Sequence, residues 1–252
     1  MKSIVTLAFA ASAGFAAAQF NNDVLHLRLF NDAPGSNLVV TNNFPSIVEF
    51  NESNLYNSSG YANRHVWNFS SDGSTDASFG KTDFWDAKFN LTLSGGNSGG
   101  ENLDKEAGFI LQNSTNGGQG DSQFIAKSDG EVAMFGGSFT FHQFYKPNTS
   151  GDYQLGTTMG MELKYFSENG VTMLTASVTY NNLTTSFTDP TTMYPGTHIG
   201  GYAQYQITHN QGETNTGDAV FGNISGSPVP EPTSILALAV GGAVVMRRRK
   251  KS

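Results

Sequence analysis

The sequence predicts an all-β protein, a two-sheet antiparallel sandwich, and three observations carry the prediction. Apolar and polar residues alternate with period two in one segment after another, the pattern of strands with one buried face. Glycine, asparagine, serine and threonine crowd the stretches between, and aromatic residues make up 12% of the chain, a balance that favours strands and turns over helices. The strand-like segments number about a dozen, more than an open sheet usually holds before it splits into two packed layers.

In chain order, the first segment stands apart from the fold. Met1, Lys2 and Ser3 form a short positive leader, residues 4–15 are apolar or small, and Ala16-Ala17-Ala18 supplies an Ala-x-Ala cleavage site. This is the layout of a secretory signal peptide, residues 1–18, removed by signal peptidase between Ala18 and Gln19.

Leu25, Leu27 and Leu29 open the body with one apolar face. A strand follows at 66–69, and 84–93 gives the clearest alternation. There Trp85, Ala87, Phe89, Leu91 and Leu93 fall on one face and Asp86, Lys88, Asn90 and Thr92 on the other. Shorter runs at 107–111, 123–126 and 131–135 come next, then Phe139 and Phe141 with Tyr145 following. Met159-Met161-Leu163-Tyr165 and Leu174-Ala176-Val178-Tyr180 repeat the long pattern, before runs at 199–205 and 219–224. Turn residues punctuate the series; Asp129-Gly130 and Asn169-Gly170, each between apolar runs, predict tight hairpins.

The body, residues 19–227, has no proline-rich joint and is read as one domain. It carries 20 acidic against 8 basic residues, a net charge of −12. That charge repels nucleic acid and anionic lipid, which excludes the usual footprint of a nucleic-acid binder and leaves cations and neutral polymers as partners. The chain has no cysteine, which excludes disulfides, thiolate zinc sites and cysteine nucleophiles.

The last segment, 228–252, has three parts. Pro230, Glu231 and Pro232 make a stiff, extended step; residues 235–246 are uninterrupted apolar or small residues; and 247–251 are all cations. Twelve such residues give about 18 Å of helix against a hydrocarbon core of roughly 30 Å, which suits a removable anchor better than a permanent span. Arg247, Arg248 and Arg249 would hold that end on the cytoplasmic side, leaving the body outside. These residues resemble the PEP-CTERM sorting signal of bacteria. The resemblance implies an exported protein of the cell envelope or extracellular matrix, often found with extracellular polysaccharide. It also implies a membrane-embedded exosortase that cuts near the Pro230-Glu231-Pro232 step, with the C-terminus held in the membrane before processing.

The body resembles a concanavalin-A-like jelly roll in its order of features: His65-Val-Trp-Asn-Phe-Ser-Ser-Asp-Gly73, the long strand at 84–93, Glu106-Ala-Gly-Phe-Ile-Leu111, and a closing Ala219-Val-Phe-Gly-Asn-Ile224. Two immunoglobulin-like domains would also fit the length, but the long strands and the missing joint favour a single sandwich. Jelly rolls of this kind include glucanases with Glu-x-Asp-x-x-Glu on one strand, a motif this sequence lacks. The nearest carboxylate clusters are Asp104 with Glu106, separated by Lys105, and Asp83 with Asp86; both read better as solvated charge.

His26, His65, His142, His198 and His209 show no metal-ligand spacing, and His142 is expected at an exposed sheet position. Ser98 in Gly96-Asn-Ser-Gly-Gly100 has the letters of a nucleophile elbow without the strand–helix turn. Calcium is the one cofactor left open, through Asp72, Asp76, Asp121 and Asp129, although aspartate before glycine is also ordinary turn chemistry. Trp85 lies on the apolar face of its strand and is expected in the core, whereas Trp67 is the candidate glycan contact. The reading is an exported, sorted β-sandwich with a structural, adhesive or glycan-binding role. A divergent glycan hydrolase or lyase of the jelly-roll type is the alternative.

Overall fold

A computed structural model describes residues 20–99, 103–113, 120–213 and 215–229. Fourteen strands account for the regular structure: β1 (Asn22–Asn31), β2 (Asn37–Asn43), β3 (Ile47–Ser53), β4 (Ala62–Ser70), β5 (Trp85–Ser94), β6 (Lys105–Asn113), β7 (Ser122–Lys127), β8 (Val132–Phe135), β9 (His142–Tyr145), β10 (Thr158–Glu168), β11 (Val171–Tyr180), β12 (Leu183–Pro190), β13 (Thr197–Gln206) and β14 (Thr216–Pro228). They form two seven-stranded sheets, β1-β4-β13-β6-β7-β8-β9 and β12-β11-β10-β5-β14-β3-β2. Every ladder between named strands is antiparallel. The two-sheet sandwich is therefore present as expected, with no helix among the described residues.

Alternation builds the core between the sheets. On β5, Trp85, Ala87, Phe89, Leu91 and Leu93 are buried while the residues between them are half-buried or exposed. The facing sheet contributes Trp67, Phe69, Phe109, Phe124 and Tyr205. Aromatic edges meet faces at the centre: Trp67 lies 5.2 Å from Phe69, 5.8 Å from Phe221 and 6.0 Å from Phe89, centroid to centroid. Each such side chain contributes about 1.5–3 kcal/mol through burial, which is how a chain without disulfides holds two sheets together.

Glycines make this packing possible at two adjacent positions on β13. A Cβ at Gly200 would come within 1.7 Å of the Trp67 carbonyl oxygen, and one at Gly201 within 2.4 Å of the Trp67 indole nitrogen. The hairpins follow their turn residues. Asn169 and Gly170 both have positive φ, joining β10 to β11 through a two-residue turn. Asp129-Gly130 instead lies in a three-residue loop, with the Lys127 N–H donating to the Glu131 carbonyl at 2.8 Å and only Gly130 left-handed.

Three strands lie outside the expected set. β2 sets Val39 and Val40 side by side and ends in polar residues, and β3 alternates in burial but places the charged Glu52 at its third inward position after Val48 and Phe50. β12, Leu-Thr-Thr-Ser-Phe-Thr-Asp-Pro, reads as polar coil until Asn181 and Asn182, both left-handed, turn it back onto β11. The expected strand around Phe139 and Phe141 is corrected: pairing begins at His142, Phe139 is buried ahead of it and Phe141 is exposed. The Leu25 face is corrected as well. A register shift between His26 and Phe30, with Arg28 left-handed, leaves Leu27 and Leu29 exposed on an edge strand. β14 extends through Pro228, one residue past the expected end of the body.

Candidate functional site

The sheet carrying β4, β13 and β6 has a second face, turned away from the core, and strand register lines up one row across it. Phe30 on β1 pairs with Arg64 on β4, Arg64 with Gln204 on β13, Gln204 with Glu106 on β6, and Glu106 with Lys127 on β7. Paired residues in antiparallel strands point to the same side, so five strands present an aromatic ring, two cations, an amide and a carboxylate in a single line.

The row is tied together by direct contacts. Arg64 Nε donates to Gln204 Oε1 at 2.8 Å, and its guanidinium carbon sits 4.4 Å from the Phe30 ring centre and 5.5 Å from that of Tyr202. The Tyr202 hydroxyl donates to Glu106 Oε2 at 3.0 Å. Lys127 Nζ lies 3.4 Å from Asp104, 3.6 Å from Asp129 and 3.8 Å from Glu131. At the opposite end Phe30 is 48% and Tyr61 55% exposed, and the Tyr61 hydroxyl accepts from Gln206. Below the row, Tyr202 packs with Val66, Ile110 and Ile125 in a small apolar cluster separate from the main core.

Electrostatics set the protonation of these groups. Burial pushes the Glu106 carboxyl upward, against the lowering effect of the Tyr202 hydrogen bond and of Lys127. Tyr202 is held well above its ordinary value, chiefly by burial and then by the neighbouring Glu106, so it stays protonated and acts as a donor. Burial alone would lower Lys127, but Asp104, Asp129, Glu106 and Glu131 together raise it. The arrangement offers the half-buried Gln206 amide and Arg64 guanidinium and the exposed rings of Phe30 and Tyr61, groups that meet polyhydroxylated ligands by hydrogen bonding and stacking, with the buried Tyr202 and Gln204 fixing them from beneath.

Among the residues singled out by sequence, Asp104 and Glu106 do converge, on Lys127, while the intervening Lys105 is buried and reaches the Leu103 carbonyl at 3.4 Å. Trp67 is corrected: it is 0% exposed, so its ring offers no face to a glycan. Its place at the middle of an inward-facing alternation, with Phe69 and His65, is what the sequence pattern could have shown. Trp85 is in the core as expected.

The histidines are dispersed. His26 contacts Asp76 at 2.9 Å, His65 is buried against Glu52, His142 stacks on Phe187 at 4.0 Å, His198 contacts the Ala77 carbonyl and His209 that of Gly60. Asp72 accepts the N–H groups of Ser74 and Thr75, Asp121 that of Asn113, and Asp129 that of Glu131. Among the described residues no three histidine or carboxylate side chains group as a metal set.

Asp83 caps a turn through the Gly80 N–H, and Asp86 lies on the outer face of the other sheet beside Glu162, whose carboxyl is raised by burial and then by Asp86. Ser98 lies in a loop where Asn97 bridges to Asn215, not in a strand–helix elbow. A cavity of about 430 Å³ lined by Gly35, Asn54, Tyr56, Gln211, Gly212 and Glu213 involves none of the row's residues. Ala18, Gln19, Pro230, Glu231, Pro232, Arg247, Arg248 and Arg249 lie outside the described residues.

Phe30, Arg64, Tyr202 and Gln204 were not singled out by sequence. Arg64 and Gln204 are 140 residues apart, and only strand order brings them together.

Comparison with solved structures finds low-identity likenesses. A family 7 alginate lyase, a variant of A1-II′ in complex with substrate, is 14% identical over 75% of this chain and 81% of its own, with a TM-score of 0.46. Winged bean acidic lectin complexed with methyl-α-D-galactose is 10% identical over 77% and 93%, with a TM-score of 0.45. A Lotus tetragonolobus seed lectin is 10% identical over 76% and 100%, with a TM-score of 0.42. None of the curated proteins compared with the chain matches it. Residues 228–250 match the family model described as the PEP-CTERM protein-sorting motif, which marks the chain as an exported protein, sorted to the envelope or extracellular space through exosortase processing.

Proposed function

We propose that the exported sandwich binds a glycan along the Phe30–Arg64–Gln204–Glu106–Lys127 row and serves as an adhesive or structural component outside the cell. The observation that carries this reading is the pair of exposed rings, Phe30 and Tyr61, at one end of a row whose polar groups are already fixed by mutual contacts. A preorganised row binds without the entropic cost of ordering its side chains. The two aromatic rings supply stacking for sugar rings, and the half-buried Arg64 and Gln206 supply hydrogen bonds to their hydroxyls, while the buried Tyr202 and Gln204 hold Glu106 and Arg64 in place.

The acidic balance of the body supports a neutral polymer over a polyanion as the ligand. Before processing, the C-terminal segment holds the protein at the membrane. The test is retention of the purified full chain on a panel of polysaccharides, in calcium and in chelator. Selective retention that F30A and Y61A both lose supports the reading, whereas retention unchanged in both variants overturns it. Loss of retention in chelator alone would assign calcium a part in it.

A catalytic reading rests on Glu106, a carboxyl raised by burial and hydrogen-bonded to a tyrosine. It predicts that the polymer retained is also cut, with new reducing or unsaturated ends that disappear in E106Q.

A further inference from the structure

The sorting motif and the folded body share residues. The motif begins at 228, yet Pro228 is still in register with Trp85 of β5. The Val229 N–H donates to the Phe84 carbonyl at 2.9 Å, and its side chain packs against the core. Pro230 follows directly, with no spacer. A peptidase acting near Pro230, Glu231 and Pro232 takes its substrate as an extended chain with residues on both sides of the bond. On the N-terminal side those residues are held in the sandwich. On the other side only residues 230–234 precede the apolar run, at most about 18 Å of extended chain, so the body cannot swing clear of the membrane to expose the step.

The end of β14 is also its weakest part. From Asp218 to Gly222 the strand is paired on both sides, with β3 and β5. Its register on β5 then shifts between Gly222 and Ser225, with Asn223 left-handed at φ 52°. From Ser225 to Pro228 the ladder is with β5 alone. Gly226 lies where a Cβ would come within 2.5 Å of the Phe20 ring and 3.1 Å of Phe69, so this position contributes no side chain to the core. A short stretch paired on one edge, beyond a bulge, opens at far lower cost than the rest of the sheet.

We propose that residues 225–229 are the segment that engages exosortase, and that they must leave β5 before the enzyme can act. Sorting of the folded protein is then gated by this clasp. Opening it supplies the extended chain upstream of the motif and leaves the ladder between β3, β14 and β5 intact as far as Gly222.

The test is a pulse-chase of the full chain in cells that carry the exosortase. Ser227 and Asp86 are register partners near the motif end of the clasp, within the span a disulfide can bridge, and the chain has no native cysteine to interfere. Asp86→Cys with Ser227→Cys should lock the clasp and abolish conversion to the processed form. A Gly-Ser-Gly-Ser insertion between Val229 and Pro230 should restore conversion in the locked chain, which also shows that the locked chain folds and reaches the enzyme. In the unlocked chain the insertion should make conversion faster than in the parent. Conversion of the locked chain at the parental rate, or an insertion without effect in either chain, overturns the proposal. Replacing Pro230, Glu231 and Pro232 with alanine separates the two failures. Conversion of that chain would remove the sorting reading and the clasp with it, while conversion of the locked chain alone removes only the clasp.

Discussion

Glu52 Oε2 lies 2.9 Å from His65 Nε2, and neither side chain is exposed. The pair spans the sandwich, since Glu52 is on β3 of one sheet and His65 on β4 of the other. The Arg28 N–H donates to His65 Nδ1 at 3.2 Å, which places the ring proton on Nε2, facing the carboxylate. Ser36 and Asn63 donate to Glu52 Oε1 at 2.6 and 2.8 Å, and the Arg28 guanidinium stands 3.4 Å away. A carboxylate with this many donors tolerates burial, and removing it strands all of them.

Glu52→Ala is accordingly expected to cost about 3–5 kcal/mol, because it leaves His65, Ser36, Asn63 and Arg28 without their common acceptor. Glu52→Gln keeps one acceptor oxygen and should cost less. Denaturant unfolding checks both, and a loss below about 1 kcal/mol in the alanine variant would contradict a structural role for the pair.

The same network sets an acid limit. Burial alone would raise the Glu52 carboxyl, but hydrogen bonds from His65, Ser36 and Asn63 more than offset it, leaving it below its ordinary value of 4.5. A depressed carboxyl stabilises the fold fully above the unfolded value and loses that contribution as pH falls through the folded one. Thermal melts should therefore be insensitive to this group above about pH 5 and decline below about pH 4.5, and the decline should be shallower in Glu52→Gln.

Trp67 and Gly201 test the core. Gly201→Ala would drive a methyl to within 2.4 Å of the Trp67 indole nitrogen and 2.8 Å of Phe221, so an overpacking loss of about 1–3 kcal/mol is expected. Trp67→Ala should cost about 3–5 kcal/mol. Because the ring reaches no surface, any variant at Trp67 that still folds should keep its polysaccharide retention, and a folded variant that loses it would return Trp67 to the binding site.

Much of this architecture was legible in the sequence, and the reason is physical. A strand such as 84–93, with one face in the core, writes its burial into every second residue, and Asn169-Gly170 writes its left-handed turn into its letters. β12 was illegible because it is a solvated edge: Thr175 and Thr188, Ser177 and Ser186, and Thr179 and Thr184 pair hydroxyl to hydroxyl across to β11, chemistry that leaves no apolar period. The binding row was illegible for another reason. Phe30, Arg64, Gln204, Glu106 and Lys127 are ordinary residues in five separate strands, and their alignment exists only once the order β1-β4-β13-β6-β7 is known. Trp67 was misjudged because tryptophan serves both cores and sugar platforms, and only the packing partners Phe44, Phe69, Phe89 and Phe221 decide between them.

The row itself makes a graded prediction. Phe30 and Tyr61 are exposed, so truncating either removes little core contact, and stability should change by less than about 0.5 kcal/mol. As ligand-facing rings they should each cost more than about 1 kcal/mol of binding, roughly a fivefold weakening or more. Phe30 carries the Arg64 guanidinium on its ring, so F30A should also loosen Arg64. Gln204→Ala frees the same guanidinium from its hydrogen bond, and the two variants together should weaken binding by less than the product of their separate effects. Tyr61 is tied to Gln206 instead, so its effect should multiply with that of Gln204→Ala. Titration of the single and double variants against the retained polymer measures both couplings, and multiplicative behaviour in the Phe30–Gln204 pair would show that the two ends of Arg64 do not act together in binding.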